Sequence, residues 1–334
     1  MPIKCLAAYA AREELRSFQY EAAELSPLDV ELDITHCGIC HSDLHLINND
    51  WGFSTFPLVP GHEIVGTVSA RGAGVRDLGL GQRVGVGWQA GACMECNQSQ
   101  RGDHNFCSRS IPTCVGRYGG YANKIRVDSR FAFPIPAGFD SAEVAPLLCG
   151  GVTVFTPLRD FGVTPLARVG VIGVGGLGHL ALQFARAFGC EVTAFSSTPE
   201  KEAEARKFGA HHFLSSRDPD ALKKAASTLD FLLSTVAANL DWQAYVSLLR
   251  PKGRLCFVGV PPAPLTVGIF PLIAGQRSVC GSNTGGRNAI REMLEFASRH
   301  GIKAQVELMP MGEANAALAK VAQNRARYRM VLAN

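Results

Sequence analysis

Cysteines and histidines are the residues most able to do chemistry in this chain, and their spacing points to zinc. The stretch CGICHSDLH carries Cys37 and Cys40 two residues apart, PGHE carries His62 beside Glu63, and LLCGG carries Cys149. A catalytic zinc keeps one coordination position open and gathers its protein ligands from distant segments, whereas both thiolates of one C-x-x-C normally belong to a closed structural site. Cys40, His62 and Cys149 can supply such an open set of two thiolates and one imidazole. Taken singly, a packed thiol or a satisfied core histidine is the commoner fate of each. A dinucleotide turn elsewhere in the chain is what makes the three together read as a site.

A second cluster is the loop CMECNQSQRGDHNFC. Cys93, Cys96 and Cys107 have the spacing of a zinc knuckle, but the next equal step after Cys96 lands on Ser99. A serine hydroxyl ionises far less readily than a thiol and is a poor zinc ligand. Water, Ser99, Asp103 or His104 is left to complete a tetrahedron; otherwise packing alone holds the loop. Three thiolates keep most of the binding chemistry, which favours an occupied structural site. Cys5, Cys114, Cys190, Cys256 and Cys280 have no such partners and read as small buried hydrophobes.

The dinucleotide signal is GVGGLG between an apolar strand and a helix. Gly173 permits the tight turn, Gly175 lets the backbone approach a pyrophosphate, and Gly178 allows close helix–strand packing. Gly176 and Leu177 complete the turn, and the helix N-terminus behind it offers free N–H groups to phosphate. An Asp or Glu about 20 residues past the glycines would bind the ribose hydroxyl of NAD. Here Ser196, Ser197 and Thr198 stand in that place, with Lys201 just beyond. Small hydroxyls and one cation suit a 2′-phosphate, so the cofactor expected is NADP.

These groups need two kinds of scaffold. Short alternating segments such as DVELDITHCGIC, EIVGTVSARG, GQRVGVGW and YANKIRV suggest a small barrel or sandwich in the first part. From about Ala145 apolar strands alternate with amphipathic helices, the rhythm of a doubly wound parallel sheet. A chain of 334 residues suits two domains, and 47% hydrophobic with 19% charged residues rules against disorder. A net charge of +4 without a Lys/Arg block argues against nucleic acid or an anionic membrane as partner. The N-terminal segment has acidic residues and no long apolar run, so neither a signal peptide nor an anchor is expected. Eleven cysteines without a secretion signal point to thiols and metal ligation in a reducing compartment, the cytoplasm.

In this order, CGICHSDLH, PGHEIVGTV, the cysteine loop, CGGVTVFTPL, GVGGLG and SST..K resemble the zinc-dependent medium-chain alcohol dehydrogenases. The resemblance covers essentially the whole chain and is strongest to the cinnamyl-alcohol-dehydrogenase-like branch of broad aldehyde reductases. It implies an α/β chain with a GroES-like β-barrel catalytic domain, residues 1–149 and 287–334, and an inserted Rossmann domain, residues 150–286. It also implies that Cys40, His62 and Cys149 hold the catalytic zinc, with Cys37 a packed bystander. Glu63 matches a carboxylate that enters the zinc sphere when substrate is absent, and Asp43 a group that orients the ligand histidine. The family's lobe carries four cysteines, of which Cys93, Cys96 and Cys107 match and Ser99 departs.

The implied chemistry is hydride transfer between NADP(H) and a primary alcohol or aldehyde. Zinc stabilises the alkoxide, and a proton passes from Ser42 through the cofactor ribose to His45. Thr153 is expected near the nicotinamide, with the backbone around Val258 and Ser282 at its carboxamide. Trp51, Trp88 and Tyr118 are candidate pocket walls, and a homodimer through Rossmann edge strands is expected. A polyol dehydrogenase of the same superfamily is the nearest alternative, which an acid at Ser196 or Ser197 would have favoured. The other is a non-catalytic NADPH-binding protein, against which the intact Cys40, His62 and Cys149 speak.

Overall fold

Strand alternation builds the first scaffold. In Asp29–Gly38 the residues Val30, Leu32 and Ile34 are buried while Asp33 faces solvent. The strand pairs antiparallel with both Ile64–Arg71 and Lys124–Asp128, so its apolar face lies at the centre of a core that also takes Val68, Val84, Ile125 and Leu332. The computed structural model describes residues 2–334, and contacts divide the chain into two compact units. The first runs to Val152 and resumes at Thr284–Asn334; the second is Thr153–Asn283.

In the first unit a seven-stranded sheet runs Val306–Pro310, Arg329–Ala333, Asp29–Gly38, Ile64–Arg71, Arg83–Val86 and Phe133–Pro134, with Lys124–Asp128 beside Asp29–Gly38. Its register fixes what borders the first candidate ligand. Cys37 lies opposite Ile64 on one side and Leu332 on the other, and the Ile39 N–H donates to the Met330 carbonyl. The C-terminal strand therefore runs beside the segment that leads into Cys40.

The second unit is a six-stranded, wholly parallel sheet in the order His212–Ser215, Glu191–Ser196, Arg168–Ile172, Leu229–Ser234, Leu249–Phe257 and Ser278–Gly281. Numbered along the chain this is the order 3-2-1-4-5-6 of a doubly wound dinucleotide fold, with its switch point between Arg168–Ile172 and Leu229–Ser234. The expected α/β class with an antiparallel barrel-like unit and a Rossmann sheet is what the chain adopts. His212–Ser215, a short half-buried edge strand, and the helix Ile269–Gly275 are elements that the sequence pattern does not single out. Among the described residues no single helix is long and apolar enough to cross a membrane. The apolar bent pair Ser141–Leu148 and Gly150–Asp160 is core, with Val144, Leu147, Leu148 and Val154 fully buried.

Candidate active site

A helix start sets the first ligand. Cys40 caps the helix His41–Asn48 in extended conformation, and Asp43, three residues on, accepts the Cys40 backbone N–H at 2.9 Å. That carboxylate satisfies a helix N-terminus as a capping residue does, but it is wholly buried and also works elsewhere. Its Oδ1 accepts the Gly61 N–H at 2.9 Å and lies 3.1 Å from His62 Nδ1. A carboxylate can only accept here, so His62 carries its proton on Nδ1 and presents a bare Nε2. His62 Nε2 is buried with no hydrogen-bond partner, a costly state that a metal ion relieves.

Cys40, His62, Glu63 and Cys149 bring one donor atom each within 4.8 Å of one another. Cys149 directly precedes the helix Gly150–Asp160. The hydrogen bond from Cys149 holds the Cys40 thiol well below the ordinary thiol range. Two sulfurs and one imidazole nitrogen fit zinc, whose binding displaces the remaining thiol proton. Trp88 meets the His62 ring edge-on at 4.9 Å.

Glu63 has a partner that sequence reasoning missed. Arg329, nearly buried on the C-terminal strand, donates from Nη2 to Glu63 Oε1 and, at 3.1 Å, to the Ile39 carbonyl. Gly38 gives the carboxylate room, because a Cβ there would lie 2.0 Å from Glu63 Oε2. Burial pushes the Glu63 carboxyl up to about 7 against the pull of Arg329. A charged residue in the inward-facing run RMVLA was the available signal for this pair.

Cys37, by contrast, lies outside the metal cluster, its Sγ donating to the Gly38 carbonyl at 3.6 Å and packed where a Cβ on Gly61 or Gly120 would lie 2.9 Å away. Ser42 Oγ is 3.6 Å from Cys40 Sγ. His45 is partly exposed, with Nδ1 2.8 Å from Asp50 Oδ2 and its ring 5.2 Å from Trp51. Trp51 in turn stacks on Phe53 and meets Trp88 edge-on. Tyr118, half-buried, packs against Phe18 and Tyr20, with ring centroids at 5.2 and 4.5 Å, in an aromatic cluster against the core.

In the second unit the glycine turn has the geometry its spacing requires. Gly173 takes φ +95°, and a Cβ on Gly178 would lie 1.9 Å from the Gly173 carbonyl oxygen. A Cβ on Gly175 would meet nothing within 4 Å, which leaves open the space a pyrophosphate needs. Gly176 is half-buried, and Leu177 precedes the helix Gly178–Ala187 without a side-chain cap, while the His179 and Leu180 N–H groups donate to the Gly175 and Leu177 carbonyls at 3.0 and 3.1 Å. Ser196 is buried, its hydroxyl accepting the Thr198 N–H at 3.1 Å, while Ser197 is exposed and Thr198 half-buried. Lys201 Nζ donates to the Val174 carbonyl at 2.7 Å, which ties the lysine to the glycine turn. Val258 and Ser282 follow the C-terminal ends of parallel strands, where ligands of such sheets bind, and Thr153 is buried on its helix.

In the cysteine lobe, Cys93, Cys96 and Cys107 also gather within 4.8 Å. Backbone N–H groups of Glu95 and Cys96 bring the Cys93 thiol down to about 5.

The family model for alcohol dehydrogenase GroES-like domains matches residues 26–137, and that for zinc-binding dehydrogenases matches residues 176–299. An aldehyde reductase, AdhA, from Synechocystis sp. is 47% identical over 332 residues, covering 99% of this chain and 99% of that one. A cinnamyl alcohol dehydrogenase of Sorghum bicolor superposes with a TM-score of 0.96 at 36% identity, covering 100% of this chain and 98% of the other. CAD from Helicobacter pylori, solved in complex with NADP(H), superposes with a TM-score of 0.91 at 33% identity, covering 100% and 99%.

Proposed function

This chain belongs to the zinc-binding medium-chain alcohol dehydrogenase family, in its cinnamyl-alcohol-dehydrogenase-like branch, and on that footing we propose that it is an NADPH-dependent aldehyde reductase. The observation that carries the reading is the convergence of Cys40, His62 and Cys149, with the His62 Nε2 buried and bare. When bound, zinc supplies Lewis acidity toward a carbonyl or hydroxyl oxygen and NADPH supplies the hydride. The chain's own residues do the rest. Cys40, Cys149 and His62 hold the metal, and Asp43 fixes the His62 tautomer and ring orientation. In the reducing direction Ser42 gives a proton to the substrate oxygen, and His45, steadied by Asp50, replenishes it from solvent. Glu63, held by Arg329, is the carboxylate closest in sequence to the ligand set.

For the cofactor, the turn Gly173–Gly178 takes the pyrophosphate, with Gly176 and Leu177 in its floor. Ser197, Thr198 and Lys201 are the groups that face a 2′-phosphate, and the lack of a carboxylate at the end of Glu191–Ser196 favours NADP over NAD. Ser196 contributes by shaping that turn. Thr153, Val258 and Ser282 are assigned to the nicotinamide end. Domain limits of 1–149 with 287–334 and 150–286 are supported by compact units whose junctions lie within a helical turn of them.

We also propose a homodimer. Val260, Ile269, Phe270 and Ile273 are exposed apolar residues in the segment between Leu249–Phe257 and Ser278–Gly281, the edge strand of the parallel sheet, and a second copy would cover them. The cytoplasm is the proposed compartment, consistent with eleven free thiols. NADPH oxidation with a panel of aromatic, aliphatic and sugar-derived aldehydes tests the activity. No turnover with any of them, in protein with full zinc content, would favour the non-catalytic alternative.

A further inference from the structure

The lobe Cys93–Cys107 differs from the four-cysteine pattern at one position, Ser99. We infer that Ser99 Oγ is itself the fourth ligand, so that this lobe holds zinc in a site of three sulfurs and one hydroxyl oxygen. The distances carry the inference. Zn–S bonds of about 2.3 Å and a Zn–O bond of about 2.0 Å in a tetrahedron place sulfurs about 3.8 Å apart and sulfur and oxygen about 3.5 Å apart. Cys93 and Cys107 Sγ are 3.4 Å apart; Ser99 Oγ lies 3.7 Å from Cys93 Sγ and 3.3 Å from Cys96 Sγ. These three of the six edges are each within a few tenths of an ångström of that tetrahedron, and the remaining sulfur pairs lie within 4.8 Å.

The backbone explains how a serine comes to face sulfur. Cys96 caps the single turn Asn97–Gln100, accepting the Ser99 N–H at 3.4 Å, and Ser99 is the one residue of that turn turned inward. Ser99 is 5% exposed, and its hydroxyl faces the Cys93 and Cys96 sulfurs. The rival donors stand elsewhere. His104 has a buried, unpartnered Nε2, but among the described residues neither it nor Asp103 brings a donor atom into the three-cysteine cluster.

A neutral hydroxyl binds a borderline-soft dication less tightly than a fourth thiolate, so this zinc exchanges more readily than a four-cysteine one. Its occupancy bears on a close-packed seam. A Cβ on Gly286 would lie 2.1 Å from the Gly102 carbonyl oxygen, and Asn105 donates to the Thr284 carbonyl at 2.6 Å. The lobe thus rests against the start of the helix Arg287–His300.

The test uses full-length protein, elemental analysis and zinc release to a chromophoric chelator, with aldehyde turnover measured alongside so that loss at the catalytic centre is read separately. The parent is expected to hold about two zinc ions per chain and to release them in two phases. Ser99→Ala should weaken the lobe site about tenfold or more, and Ser99→Cys should slow its release by a similar factor. Binding in Ser99→Ala as tight as in the parent would assign the fourth position to water and overturn the inference. One zinc in both the parent and Ser99→Cys would overturn it too, leaving a lobe held by packing. Should Ser99→Ala fail to fold, Ser99→Cys decides alone, and unchanged release in that variant overturns the assignment.

Discussion

Asp43 Oδ1 lies 3.1 Å from His62 Nδ1, with both side chains wholly buried. The same carboxylate caps the helix that begins after Cys40, so one side chain fixes the direction of two ligands. Asp43→Asn keeps the shape but replaces an acceptor by a donor, which must face either the Cys40 N–H or the pair of Gly61 and His62. Zinc affinity should fall about 10- to 100-fold, read by chelator competition, while NADPH binding persists. Parent-like affinity in this variant would remove Asp43 from its orienting role.

Cys37 and Cys40 provide a contrast within one motif. Cys40→Ser should abolish turnover and leave NADPH binding intact, because the glycine turn belongs to the other compact unit. Cys37→Ser should keep its zinc and its activity, with stability lowered by about 1–3 kcal/mol for placing a hydroxyl among apolar groups. Zinc loss in the Cys37 variant would reverse the assignment.

The cofactor prediction concerns Lys201. Its ammonium reaches the Val174 carbonyl at 2.7 Å, so it can both brace the glycine turn and meet a phosphate. NADPH should be preferred over NADH, and Lys201→Ala should raise KM for NADPH about tenfold more than for NADH, since only the former carries a charge of about −2 beyond the ribose. Equal losses for both cofactors would leave Lys201 a brace and nothing more.

How far the sequence reaches depends on where each signal lies along the chain. The parallel strands are legible because runs such as VGVI and FLLS are buried on both faces and read as unbroken apolar stretches. Cys40, His62 and Cys149 are visible because few residue types bind zinc and each sits in a short motif. Asp43 is equally local, three residues from Cys40. The Arg329–Glu63 pair is not: its partners are 266 positions apart, and no local pattern links them. The surroundings of Tyr118 are equally hidden. Nothing in its neighbourhood announces Phe18 and Tyr20, about 100 residues upstream, against which its ring packs. Ser196 reads as a ligand contact by type alone, whereas its hydroxyl is occupied by the backbone of Thr198.

That long-range pair supports the last prediction. Arg329 is buried, donates to Glu63 and to the Ile39 carbonyl, and belongs to the strand that runs beside the approach to Cys40. The Glu63 carboxyl stands at about 7 with Arg329 pulling it down, so without the guanidinium it is pushed higher. At neutral pH it then takes up a proton, and only at alkaline pH does a buried, unpaired carboxylate cost about 3–5 kcal/mol. Arg329→Met, which keeps most of the side-chain volume, should therefore lower the melting temperature most sharply at alkaline pH. There the penalty comes from the stranded carboxylate as much as from the lost contact, so Glu63→Gln added to Arg329→Met should restore a large part of it, because a neutral amide needs no counter-charge. The rescue should be smaller at neutral pH, where the lone carboxyl is protonated. Glu63→Gln alone should be intermediate, since its amide oxygen can still accept from Arg329 but the buried guanidinium loses its counter-charge. The three variants and the parent form a cycle whose coupling should have the sign of a favourable pair and exceed about 1 kcal/mol, as expected for groups in direct contact. If instead the two single losses simply add in the double variant, the charges are not coupled, and Arg329 holds the strand through the Ile39 carbonyl alone.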